Sequence, residues 1–83
     1  MTRPYAETMS EPETIEITGD MIRLGQLLKF ANVAESGAQA GSMITDGYVL
    51  VDGVVETRRG RQLGRGAVVE VRLPASVWSG RIV

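Results

Sequence analysis

The chain has 83 residues, no cysteine, no histidine and a formal net charge of -1. That length holds one domain with a marginal core. The two missing residue types exclude disulfides, thiolate or imidazole metal sites and the commonest general base.

Residues 1–13 contain Pro4, Pro12 and mostly polar or acidic residues without apolar periodicity, the composition of a disordered acidic tail. They hold no apolar run that would serve a signal peptide, and no stretch of the chain approaches the ~20 apolar residues of a membrane span. The expectation is a soluble, cytoplasmic protein. Thr14-Ile15-Glu16-Ile17-Thr18 alternates as a half-buried strand does, and Gly19-Asp20 breaks it. From Ile22 the period becomes helical. Leu24, Leu27, Leu28 and Ala31 share a face that Phe30 and Ala34 extend, and the spacing predicts a helix ending near Asn32. Gly25 inside it costs ~1 kcal/mol against alanine. Ser36 followed by Gln39 predicts the capped start of a second helix, with Ala40, Met43 and Ile44 inward and Gly47 as its left-handed end. Residues 48–51 and 54–56 flank Asp52-Gly53, which predicts a hairpin. A basic connection, the turn Gly64-Arg65-Gly66 and a strand over 67–73 follow, with Val69, Val71 and Leu73 on one face and Pro74 at its end. The expected domain spans 14–74, and 75–83, with Trp78, reads as a C-terminal tail. The order of elements predicts an α+β fold, a helix pair packed on a small, mainly antiparallel sheet.

Charge is unevenly placed. Residues 1–20 carry five acidic groups against Arg3, whereas from Thr57 onward six arginines face Glu70 alone. Such a basic block suits an anionic partner, or simply a solvated face. Arg58, Arg59, Arg61 and Arg65 fall within eight residues around a turn. Their planar donor forks match phosphate oxygens. Arg23 at a helix start is electrostatically awkward, which points either to function or to an ion pair with Asp20. Lys29, six positions later, does not share a face with it on an ideal helix. At the start of the second helix, capped by Ser36, the N–H groups of Gly37, Ala38 and Gln39 offer a phosphate site. Tyr48 is the candidate platform for base stacking, while Phe30 reads as core. Asp46 and Asp52 sit at turns that already account for them. Residues 60–66 lack the lysine and helix of a P-loop. No catalytic residue, metal, cofactor or small-molecule substrate is expected.

The segment from Arg23 to Val71 resembles the RNA-binding domain named after ribosomal small-subunit protein four, the alpha-L motif. The resemblance lies in Arg23-Leu24 with Gln26-Leu27-Leu28-Lys29, in Ser36, Ala40 and Ile44, in Gly47-Tyr48-Val49-Leu50-Val51-Asp52-Gly53, and in Gly66-Ala67-Val68-Val69. Glu35-Ser36-Gly37 and Val55-Glu56-Thr57-Arg58-Arg59-Gly60-Arg61 resemble a small, stand-alone bacterial branch of it. The resemblance implies binding of structured RNA, ribosomal or transfer RNA, with the ribosome as a candidate partner and without catalysis. The expected RNA contacts are Arg23, Lys29, Ser36, Gly37, Gln39, Tyr48, Arg58, Arg59, Arg61 and Arg65. Many members carry an acidic residue where this chain has Gly25, and basic ones where it has Gly37 and Gly41. RNA contact then falls mainly to the arginines after Glu56. The alternative is a protein-interaction module whose arginine loop docks an acidic partner.

Overall fold

The computed structural model describes residues 12–83. The tail expected over 1–13 therefore lies outside the described residues except for Pro12 and Glu13, and Glu13 opens the first strand. In chain order the elements are β1 (Glu13–Ile15), β2 (Met21–Arg23), α1 (Leu24–Phe30), α2 (Gly37–Thr45), β3 (Val49–Val51), β4 (Val54–Val55), β5 (Gln62–Gly64), β6 (Val68–Leu73) and β7 (Ser76–Ile82). Five strands form one sheet in the order β1-β7-β6-β3-β4, and β2 pairs with β5 in a separate ribbon. All pairings are antiparallel except β1 with β7. The expected α+β architecture is thus present.

The helices are held at their ends by backbone geometry. Asn32 takes a left-handed φ of 62° after α1, and Gly47 one of 86° after α2. In both cases the chain closes on itself in a Schellman motif. Asn32 and Val33 N–H donate to the Lys29 and Leu28 carbonyls, and Gly47 and Tyr48 N–H to those of Ile44 and Met43. The first helix is shorter at both ends than its apolar spacing predicted. Met21–Arg23 is drawn into the ribbon with β5, and Asn32 turns the chain away. Asp52 and Gly53, with φ of 50° and 86°, make the tight turn of the β3–β4 hairpin.

The core lies between the helix pair and the inner face of the sheet. Leu24, Leu27, Leu28, Ala40 and Ile44 come from the helices, and Val49, Val51, Val69, Val71 and Ile82 from the strands. The ribbon adds Leu63.

Residues 75–83 are not a tail. Ser76–Ile82 is the longest strand and lies between β1 and β6. Its alternation is hidden in the sequence because the inward positions run Trp78, Gly80, Ile82. Trp78 supplies the volume that Gly80 lacks: a Cβ on Gly80 would lie 2.6 Å from the indole ring. The indole N–H donates to Glu13 Oε1 at 3.0 Å, tying β7 to β1.

Candidate nucleic-acid interface

The basic connection between β4 and β5 is organised by one carboxylate. Glu56 is only 7% exposed. Its Oε2 accepts from the Arg58 backbone N–H and Nε, both at 3.0 Å. Its Oε1 accepts from Arg58 Nη2 at 3.0 Å and Arg61 Nη1 at 2.7 Å. These donors, Arg58 first and then Arg61, hold the Glu56 carboxyl far below the ordinary carboxylate range, against the opposing effect of burial. Glu56 in turn raises the Arg58 guanidinium above its usual value.

The loop closed in this way docks on the helices. The N–H groups of Leu24 and Gly25, which the first turn of α1 cannot satisfy internally, donate to the Arg61 and Arg59 carbonyls at 2.9 Å each. Arg23 precedes that turn with extended backbone, and its N–H donates to Gln26 Oε1 at 3.3 Å. The Arg59 side chain then crosses α2 at Gly41, where a Cβ would stand 3.3 Å from Nη1. Gly25 leaves similar room for the Arg59 backbone.

The result is an open cleft of about 350 Å³ lined by Arg23, Gly25, Gln26, Lys29, Gly37, Arg59 and Gly60. Arg23, Lys29 and Arg59 enter no ion pair among the described residues. No carboxylate lines the cleft. At its α2 edge Ser36 Oγ accepts from Gln39 N–H at 3.1 Å, which leaves the Gly37 and Ala38 N–H groups without a protein acceptor among the described residues.

Several sequence expectations are redistributed by this geometry. Arg23 and Lys29 were placed on different faces, yet they line one cleft, because Arg23 stands before the helix and not within it. Arg58, Arg59, Arg61 and Arg65 do not form one cluster of free cations. Arg58 and Arg61 bind Glu56, although the Arg58 side chain stays 72% exposed. Arg65 lies 3.5 Å from Asp20 and donates to the Ile17 carbonyl at 3.3 Å. Arg65 and Arg61 line a different groove beside the β5–β6 turn. Asp20, one alternative partner considered for Arg23, is instead engaged by Arg65. Gln39 does not offer a free N–H, and its side-chain oxygen accepts from the Glu35 N–H. Tyr48 is half-exposed but follows the C-terminal end of α2, opposite to the cleft at Gly37. The role of Glu56 was missed. Its signal was a lone carboxylate before a run of arginines. The role of Gln26 was missed too, although it lies three positions after Arg23, at capping-box spacing.

The comparisons with known proteins agree with this architecture. Residues 15–76 match the family model described as S4 domain. The chain is 46% identical over 57 residues to RlbA of Bacillus subtilis (strain 168), a protein named for ribosome maturation. That match covers 69% of this chain and 80% of the relative. It is also 46% identical over 48 residues to YbcJ of Escherichia coli (strain K12), a protein named for RNA binding, covering 58% of this chain and 69% of the relative. With a family match over most of its length and the helix pair, sheet and loop in their expected order, the chain belongs to the S4 domain family.

Proposed function

We propose that this protein is a non-catalytic RNA-binding module that grips structured RNA, ribosomal or transfer RNA, through backbone phosphates and shape. The observation that carries this reading is the convergence of Arg23, Lys29 and Arg59, unpaired among the described residues, on a cleft that opens at the N-terminus of α2. Two guanidinium forks and an ammonium around free backbone N–H groups match the oxygens of a phosphodiester. The names of the two relatives, one for RNA binding and one for ribosome maturation, support an RNA partner and favour ribosomal RNA. Arg58, whose side chain stays largely exposed beside Glu56, lies on the same loop. Phosphate contacts of this kind set position and carry no sequence information directly.

The test is binding of a structured ribosomal RNA fragment across a salt series, with the wild type beside the Arg23→Ala/Arg59→Ala variant. Three phosphate contacts give a slope of log affinity against log salt of roughly -2, and losing two of them flattens it by roughly 1.4. An unchanged slope and affinity in the variant would exclude the cleft. Failure of the wild type to bind at low salt would turn the assignment to an acidic protein partner.

A further inference from the structure

Phe30 ends α1 with 60% of its surface exposed, although its position in the apolar stripe placed it in the core. Met21, in the adjoining ribbon, is 52% exposed. Ile17, Thr18, Gly19, Met21, Ile22 and Phe30 line a groove of about 180 Å³. A shallower surface of Ile22, Gln26, Lys29 and Phe30 joins this groove to the cationic cleft, because it shares Ile22 and Phe30 with the groove and Gln26 and Lys29 with the cleft. The apolar groove and the phosphate-sized cleft are therefore one continuous surface. The other described aromatics lie elsewhere. Trp78 packs on Gly80 within the sheet, and Tyr48 follows the far end of α2.

We infer that the Phe30 groove receives an unpaired nucleobase of the RNA whose phosphate lies in the adjacent cleft. The inference rests on the RNA-binding reading and sharpens it, since a paired duplex has no free base face to offer. The RNA element is then a bulge, loop or junction next to a helix. A phenyl ring stacks on any base, so the groove selects for an unpaired nucleotide more than for its identity. Gln26 can add a polar contact. Its Oε1 is engaged by the Arg23 N–H, which leaves Nε2 free to donate to a base edge. Charge also selects the occupant. Two copies of this chain meeting at the groove would bring Lys29 and its neighbouring cations face to face, whereas a nucleotide brings a compensating phosphate.

The experiment uses the full chain, Phe30→Ala and Phe30→Trp, each titrated with two forms of one ribosomal RNA hairpin. One form carries a single 2-aminopurine bulge and the other is fully paired. Wild type and Phe30→Trp are expected to change the 2-aminopurine emission and to prefer the bulged form. Phe30→Ala should lose about tenfold in affinity for the bulged form, as removal of one stacking partner does, and bind the paired form as the wild type does. Equal wild-type affinity for both forms, with Phe30→Ala indistinguishable on each, would overturn the stacking site and leave the cleft intact. No wild-type binding to either form at low salt would overturn the RNA-binding reading itself. A wild-type dimer in sedimentation that Phe30→Ala converts to a monomer at unchanged RNA affinity would assign the groove to contact between copies and overturn the inference.

Discussion

Glu56 carries the largest electrostatic consequence of any single residue described. Its carboxyl accepts four hydrogen bonds within the arginine loop, and they hold it ionised far into acid. A group whose folded value is depressed contributes stability that is fully present above its unfolded value, here about 4.5, and loses it as pH falls toward the folded value. Urea unfolding at stepwise lower pH should therefore show Glu56→Gln clearly less stable than the wild type near neutrality, with the gap shrinking as pH drops below that value. No gap at any pH would mean that the loop is held by its backbone bonds to α1 alone, and a gap independent of pH would mean that the charge of Glu56 contributes nothing to it. Gly80 is a second constrained position, for steric reasons. A methyl group there overlaps the Trp78 ring and approaches Ile15. Overpacking of this kind costs about 1–3 kcal/mol. Gly80→Ala should lower the unfolding free energy by that amount, read as a lower urea midpoint at an unchanged m-value.

At the scale of elements, α2 trades helix propensity against the loop that crosses it. Gly41 is buried beneath Arg59, and a Cβ there sits close to the flexible end of that side chain, away from backbone. Gly41→Ala should consequently raise helix stability by about 0.5–1 kcal/mol through backbone entropy. It should also push the guanidinium aside and weaken RNA binding. Thermal melts and RNA titration of the same variant check both signs, and a gain in both would remove Arg59 from the interface. At this position α2 carries no charge of its own, and the Arg59 side chain from the β4–β5 loop lies over it. The sequence shows the glycine and the arginine but not their meeting. The ends of α2 were legible, because Ser36, Gln39 and Gly47 are local signals. The start of α1 was not, because Met21–Arg23 pairs with Gln62–Gly64, about forty residues away, and no local pattern encodes such a pairing.

At the scale of the whole molecule, β7 joins β1 to the rest of the sheet. It pairs β6 on one side and β1 on the other, and it buries Ile82 completely. Burying one such side chain contributes about 1.5–3 kcal/mol, and a core of this size holds roughly 3–5 kcal/mol in total. A chain truncated after Leu73 should therefore show no cooperative thermal transition by circular dichroism. A truncated chain that melts cooperatively would return residues 75–83 to the status of a tail.

The α+β order, the helix pair, the Asp52-Gly53 hairpin and the basic character of the β4–β5 loop could all be read from the residues. Each depends on periodicity, caps or turn residues acting over a few positions, where the chain's own stereochemistry suffices. The tertiary structure alone decided which cations are free. Arg58 and Arg61 are bound by Glu56, Arg65 is drawn to Asp20, and Arg59 is brought from the β4–β5 loop to Arg23 and Lys29 of the first helix region. It also decided that Phe30, which the apolar spacing placed in the core, is exposed, and that Trp78, in the segment read as a tail, packs within the sheet. Ion pairing and burial are set by distances through space, and those distances exist only once the loop has docked on the helices and β7 has closed the sheet.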